Sequence, residues 1–200
     1  DKIATTLQQT MEDEGCKTLS ITSINENDGK TTVVANLAIN LASRGYKVCL
    51  VDADMRRPAI TKLLEKTEDI KVSLNQVLEG EKTIKEAMLP YDNGIELYLQ
   101  KEGIAEPDKL LEAESFKSFL DKLETEADFI LVDTPPLGML RDAEIVAKNV
   151  DRVVLVYCQD QTHAVDINDA TALLENAGTT VIGGIMNKTR KPILSTSNDS

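Results

Sequence analysis

The stretch Thr18–Leu41 reads TLSITSINENDGKTTVVANLAINL, and its parts carry different periodicities. Thr18 to Ser23 alternates like a short buried strand. Thr31 to Leu41 sets Val34, Leu37, Ala38 and Leu41 at helical spacing. Between them stand Asn27, Asp28, Gly29, Lys30, Thr31 and Thr32, which include the Gly-Lys-Thr of a phosphate-binding loop. Free N–H groups at a helix start favour an anion, and Lys30 adds a full positive charge. The Thr31 hydroxyl is suited to a magnesium ion bridging the β- and γ-phosphates of ATP. The pattern departs from the general one in having Ile24 six positions before the lysine, where glycine is usual. Asn27 occupies another frequent glycine position and is the residue type that best tolerates a left-handed backbone. Glu26 and Asp28 are expected to face solvent, since negative charge would oppose phosphate.

Two hundred residues suit one domain, and 42% hydrophobic content can build its core. With only 4% aromatic residues, that core must be largely aliphatic. The net charge of −12 argues against a nucleic-acid or anionic-lipid surface, so no nucleic-acid partner is expected. Cys16, Cys49 and Cys158 form no close pair or metal spacing, which fits a reducing cytoplasm. No run approaches the roughly 18 apolar residues of a membrane span.

The remaining chain alternates strand and helix. A first helix is expected over Asp1 to Met11, and strands over Lys47–Val51, Ile95–Leu99, Phe129–Val132, Arg152–Cys158 and Thr180–Met186. Helices are expected over Ile60–Leu64, Lys109–Glu124, Asp142–Lys148 and Ala164–Ala177, with apolar-periodic pieces at Val72–Leu78 and Ile84–Leu89. This order implies a single α/β domain over residues 1–188, a mostly parallel sheet with helices on both faces, followed by a polar tail at 189–200. Its strand ends would gather the phosphate loop, Asp52, Asp54, Asp133 and Asn187 at one edge, where open α/β sheets bind ligands.

FILVD ends at Asp133, an aspartate placed after an apolar strand to hold magnesium directly or through water. Asp52 and Asp54 repel each other unless a cation lies between them. One could hold metal while the other takes a proton from an attacking hydroxyl. Arg56 and Arg57 are open between pairing with these aspartates and guiding an acidic substrate.

GKTT with VVANLA, VDADMRRP and FILVDTPP together resemble the bacterial tyrosine kinases of capsule and exopolysaccharide synthesis, P-loop relatives of the plasmid-partition and septum-placement ATPases. The resemblance runs from about Asp1 to Lys188, and VDADMRRP is its discriminating piece. It implies an ATP- and magnesium-dependent tyrosine kinase in which Lys30 grips phosphate. Thr31, Asp54 and Asp133 would organise magnesium, Asp52 would act as base, and Asn187 would contact adenine. It further implies protein tyrosine substrates, homo-oligomers and a membrane-spanning chain-length adaptor that recruits the chain to the cytoplasmic face. Departures from the family are Glu26-Asn27 in place of Pro-Gly, Lys2, Thr5 and Gln8 in a ring-forming pattern, and no tyrosine in the tail. Two other readings stand beside it. One is a partition-type ATPase switch, although Asn25 replaces that group's second lysine. The other is a non-catalytic assembly partner.

Overall fold

The computed structural model describes residues 2–138, 141–159 and 161–188. The expected tail at 189–200 lies outside the described residues. Seven strands form one sheet: β1 (Thr18–Ser23), β2 (Val48–Asp52), β3 (Leu89–Tyr91), β4 (Ile95–Tyr98), β5 (Phe129–Asp133), β6 (Arg152–Cys158) and β7 (Thr180–Asn187). Their order is β3-β4-β2-β5-β1-β6-β7, and every pairing is parallel except β3 with β4.

β1, β2 and β5 are buried along their whole length; β2 and β5 accordingly read as near-continuous apolar runs, while β1 alternates apolar residues with small hydroxyl ones. The pleat sends alternate residues to opposite faces. Val48 and Leu50 of β2 enter a core with α1 (Lys2–Glu14), α2 (Lys30–Ser43) and α3 (Ile60–Leu63). Cys49 and Val51 enter the other core, with α4 (Leu74–Leu78), α7 (Glu114–Glu124), α8 (Asp142–Ala147) and α9 (Ala164–Asn176). The short α5 (Ile84–Ala87) and α6 (Pro107–Glu112) complete this second layer.

Two details differ from expectation. The apolar piece ending at Leu89 stops as a helix at Ala87, and Leu89–Tyr91 forms an antiparallel edge strand. Pro90 is tolerated there because an edge strand leaves one side of its backbone unpaired. The helix expected over Lys109–Glu124 is two helices, broken at Ala113, whose ψ of 150° is extended. Pro107 opens the first of them two residues earlier than expected. The break lets α6 meet α8 while α7 lies on β5. No helix of the described residues is long and apolar enough to cross a membrane.

Phe116 of α7 is fully buried in the second core. Phe116→Ala is expected to destabilise the chain by about 3–5 kcal/mol, read as a lowered midpoint in urea unfolding.

Candidate functional site

The turn after β1 is built by its own backbone. Asn27 adopts φ 63° and Gly29 φ 89°, so the expected left-handed asparagine is observed. A side chain at Gly29 would collide with the Asn187 amide as well as strain the backbone. Asp28 does not face solvent as expected. It is buried, and its Oδ2 accepts the Asn25 N–H at 2.8 Å, which closes the turn and satisfies the carboxylate locally. Glu26 does face solvent, and it pairs with the Arg57 guanidinium across the cavity mouth.

α2 starts at Lys30, whose Nζ turns into the carboxyl edge. It lies 3.4 Å from Asp54 Oδ2 and 3.7 Å from Asp133 Oδ1. Thr31 Oγ1 donates to Asp133 Oδ2 at 2.8 Å. β2 and β5 pair in register, with Asp52 opposite Asp133, so these two carboxylates are neighbours by sheet geometry. The Arg57 backbone N–H holds Asp54 through Oδ1 at 3.2 Å. A cavity of about 600 Å³ opens above this cluster, lined by Gly29, Lys30, Thr31, Thr32, Asp54 and Arg57 among others. Asp52 and Asp133 lie beneath its floor, fully buried. Asn187 stands at the loop's other side, where its Nδ2 donates to the Asp28 carbonyl at 2.9 Å.

The electrostatics are strained. Burial, then Asp133 and Asp54, push the Asp52 carboxyl well above its ordinary range, while Lys30 and the Ile60 amide offset this in part. Burial pushes Asp133 up to about 6, against the relief from Lys30 and Thr31. Asp54 is also raised by burial, with Lys30 the largest counter-effect. Both oxygens of Asp52 and Oδ1 of Asp133 are buried without a well-formed hydrogen bond. Three carboxylates thus face one ammonium, and hard oxygen donors with spare negative charge fit magnesium. Among the described residues no three His, Cys, Asp or Glu side chains converge as a ready-made cage. That is compatible with magnesium, which usually keeps several waters and binds through one or two carboxylates plus phosphates.

Arg56 pairs with neither Asp52 nor Asp54. Its Nε donates to Asp142 Oδ2 at 2.7 Å and its Nη2 to Asp142 Oδ1 and Asp108 Oδ1, both at 3.3 Å. This fork ties the loop after β2 to the start of α8, on a buried Asp142. Sequence reading missed Asp142 and Asp108 in this role, because no spacing announces a partner 86 residues away. It also missed Lys188, whose Nζ donates to the Asn27 carbonyl at 2.5 Å. His163 is exposed before α9 and does not line the cavity.

A lysine-bearing loop between strand and helix, its threonine bonded to the aspartate of a neighbouring strand, defines a P-loop NTPase-like fold. Residues 16–177 match the AAA domain family. Tyrosine-protein kinase CpsD of Streptococcus pneumoniae serotype 4 is 31% identical over 175 residues, which cover 86% of this chain and 76% of that protein. The solved kinase domain of Escherichia coli tyrosine kinase ETK is 26% identical at a TM-score of 0.88, over 96% of this chain and 74% of that one. MinD from Pyrococcus horikoshii, a septum site-determining protein complexed with Mg-ADP, is 25% identical at a TM-score of 0.74, over 85% of this chain and 69% of that one. The chain belongs to the bacterial tyrosine-kinase family.

For Asp133, the unfolded carboxyl titrates near 3.8 and the folded one near 6. Between those values the folded chain keeps a proton that the unfolded chain has lost, so stability falls as pH rises. Asp133→Asn is expected to flatten this slope in metal-free melting curves between pH 4 and pH 7. It should raise the melting temperature at pH 7 by about 2–4 °C per kcal/mol of relieved repulsion. Arg56→Ala leaves Asp142 buried without its fork and is expected to destabilise the chain by about 2–4 kcal/mol in urea unfolding, with Arg56→Lys between it and wild type.

Proposed function

We propose that this chain is an ATP- and magnesium-dependent protein-tyrosine kinase acting in capsular or exopolysaccharide biosynthesis. The observation that carries the reading is the meeting of Lys30, Thr31, Asp54 and Asp133 at the carboxyl edge, in a chain of this family. Lys30, with the backbone N–H groups of Asn27 to Thr32, would hold the phosphates. Thr31, Asp54 and Asp133 would hold magnesium, which when bound neutralises charge that develops on the transferred phosphoryl group. Asn187, on the far side of the loop, would contact adenine.

The γ-phosphoryl group passes from ATP to a tyrosine oxygen, ADP leaves, and the tyrosine proton goes to Asp52. Burial and its carboxylate neighbours raise the proton affinity of Asp52, which favours it as the proton's destination. Because Asp52 is covered, this role requires the Ala53–Pro58 loop to open towards the acceptor. The acceptor comes from elsewhere: none of Tyr46, Tyr91, Tyr98 and Tyr157 lines the phosphate-site cavity. A membrane-spanning adaptor would bring such substrates and further copies of the chain together at the cytoplasmic face.

Calorimetric titration of ATP with magnesium, into wild type and Lys30→Met, tests the binding step. The same samples are then incubated with labelled ATP and a tyrosine-rich peptide. The expected result is wild-type binding, at least tenfold weaker in the variant by loss of a charged phosphate contact of about 1.5–3 kcal/mol, and phosphotyrosine only in wild type. Phosphate release without phosphotyrosine would replace the kinase reading with an ATPase switch. Absence of binding would leave an assembly partner.

A further inference from the structure

A second cavity, of about 750 Å³, lies between α5 and α7 over β4 and shares no lining residue with the phosphate site. It sits towards the amino edge of the sheet, where the end of α7 leads into β5. Val77, Ile84, Met88, Phe119 and Leu123 supply most of its exposed wall, with hydroxyls of Thr83, Ser115 and Ser118 between them. Its floor is different. Along β4, Ile95 and Leu97 fill the core under α2, while Glu96 and Tyr98 point to the α7 side. Position 96 therefore faces a layer made of Cys49, Phe119 and Leu123, where a strand covered on both faces calls for an apolar side chain.

The Glu96 carboxylate is held in place there. Its Oε2 accepts the Tyr98 hydroxyl at 3.2 Å and the Cys49 thiol at 3.7 Å, and both donors are buried. Burial first, then Glu96, pushes the Cys49 thiol up; burial, then Cys49 and Glu96, does the same to the Tyr98 hydroxyl. Both stay protonated at neutral pH and serve as neutral donors. Glu126 brings a second carboxylate to the same cavity. The lysines, Lys82, Lys85 and Lys122, stand exposed, with Lys82 paired to Glu86 at 3.3 Å.

An apolar chamber with a few convergent polar groups is the usual form of a small-molecule site. A carboxylate oriented by two neutral donors selects a cationic group, and the apolar walls select a hydrocarbon body. A metal ion does not suit walls of this kind, and an anion seated on the floor would meet the Glu96 carboxylate, away from the lysines at the rim. We propose that this cavity binds an amphipathic organic cation, its ammonium or guanidinium end on Glu96 and its aromatic or aliphatic body between α5 and α7. The exposed lysines leave room for an anionic group at the ligand's outer end. The proposal is independent of the kinase reading.

Two probes of equal shape test it on the full chain: 2-phenylethylammonium and neutral 2-phenylethanol, titrated by calorimetry with and without ATP and magnesium. The expected result is saturable binding of the cation, preferred over the alcohol by roughly tenfold or more, as for a hydrogen bond to a charged group. ATP should not displace it. Glu96→Gln keeps the shape and an acceptor for Tyr98 and Cys49, and should erase the preference. Ser118→Phe on the cavity wall should block both probes while the melting transition persists. Equal binding of the two probes would overturn the proposal. So would an unchanged preference in Glu96→Gln, or no saturation of wild type by about 10 mM.

Discussion

Parallel pairing of β2 with β5 sets Asp52 directly opposite Asp133, and the rest of the carboxyl edge answers to that placement. A sheet buried on both faces gives these carboxylates no water to spread their charge. Lys30 turns inward to them, Thr31 donates to one of them, and Asp54 reaches the same ammonium from the next loop. The lysine thus offsets part of the negative charge gathered at this edge. Binding an anion and a cation together would separate these charges and give each a new partner. The cavity is organised by its unsatisfied negative charge rather than by its shape.

The supporting shell holds this cluster by reaching across the chain. Asp28 closes the turn below the loop, and Arg56 fixes the strand-end segment to Asp142 and Asp108. Each contact restrains backbone near a charged group, which would otherwise drift apart from its like-charged neighbours. The ion pair between Glu26 and Arg57 is of another kind. Both side chains are well exposed, so it organises the mouth without contributing much to stability.

Much of this was legible in the sequence, for local reasons. β1, the loop and α2 follow each other without a break, and a strand that ends in aspartate announces its own carboxyl-edge position. The aspartates at 52, 54 and 133 needed only the parallel order of strands to be brought together. What escaped reading depends on long-range neighbours. The burial of Asp28 comes from a turn that curls back on Asn25, against the presumption that charge seeks water. The partnership of Arg56 with Asp142 depends on where α8 begins. β3 is three residues long and contains a proline, so no periodicity could mark it. Glu96 reads as the polar member of an alternating strand, and only the two-sided burial of the sheet shows that its position is an inward one.

The end of β7 carries a mechanical consequence. Asn187 and Lys188 place their side-chain nitrogens on the carbonyls of Asp28 and Asn27, in the phosphate loop just before α2. Lys188 does so from a left-handed backbone, with φ of 51°. A displacement of the end of β7 would therefore pass directly, through two hydrogen bonds, into the loop's own peptide groups. The last strand is in this way a lever on the loop.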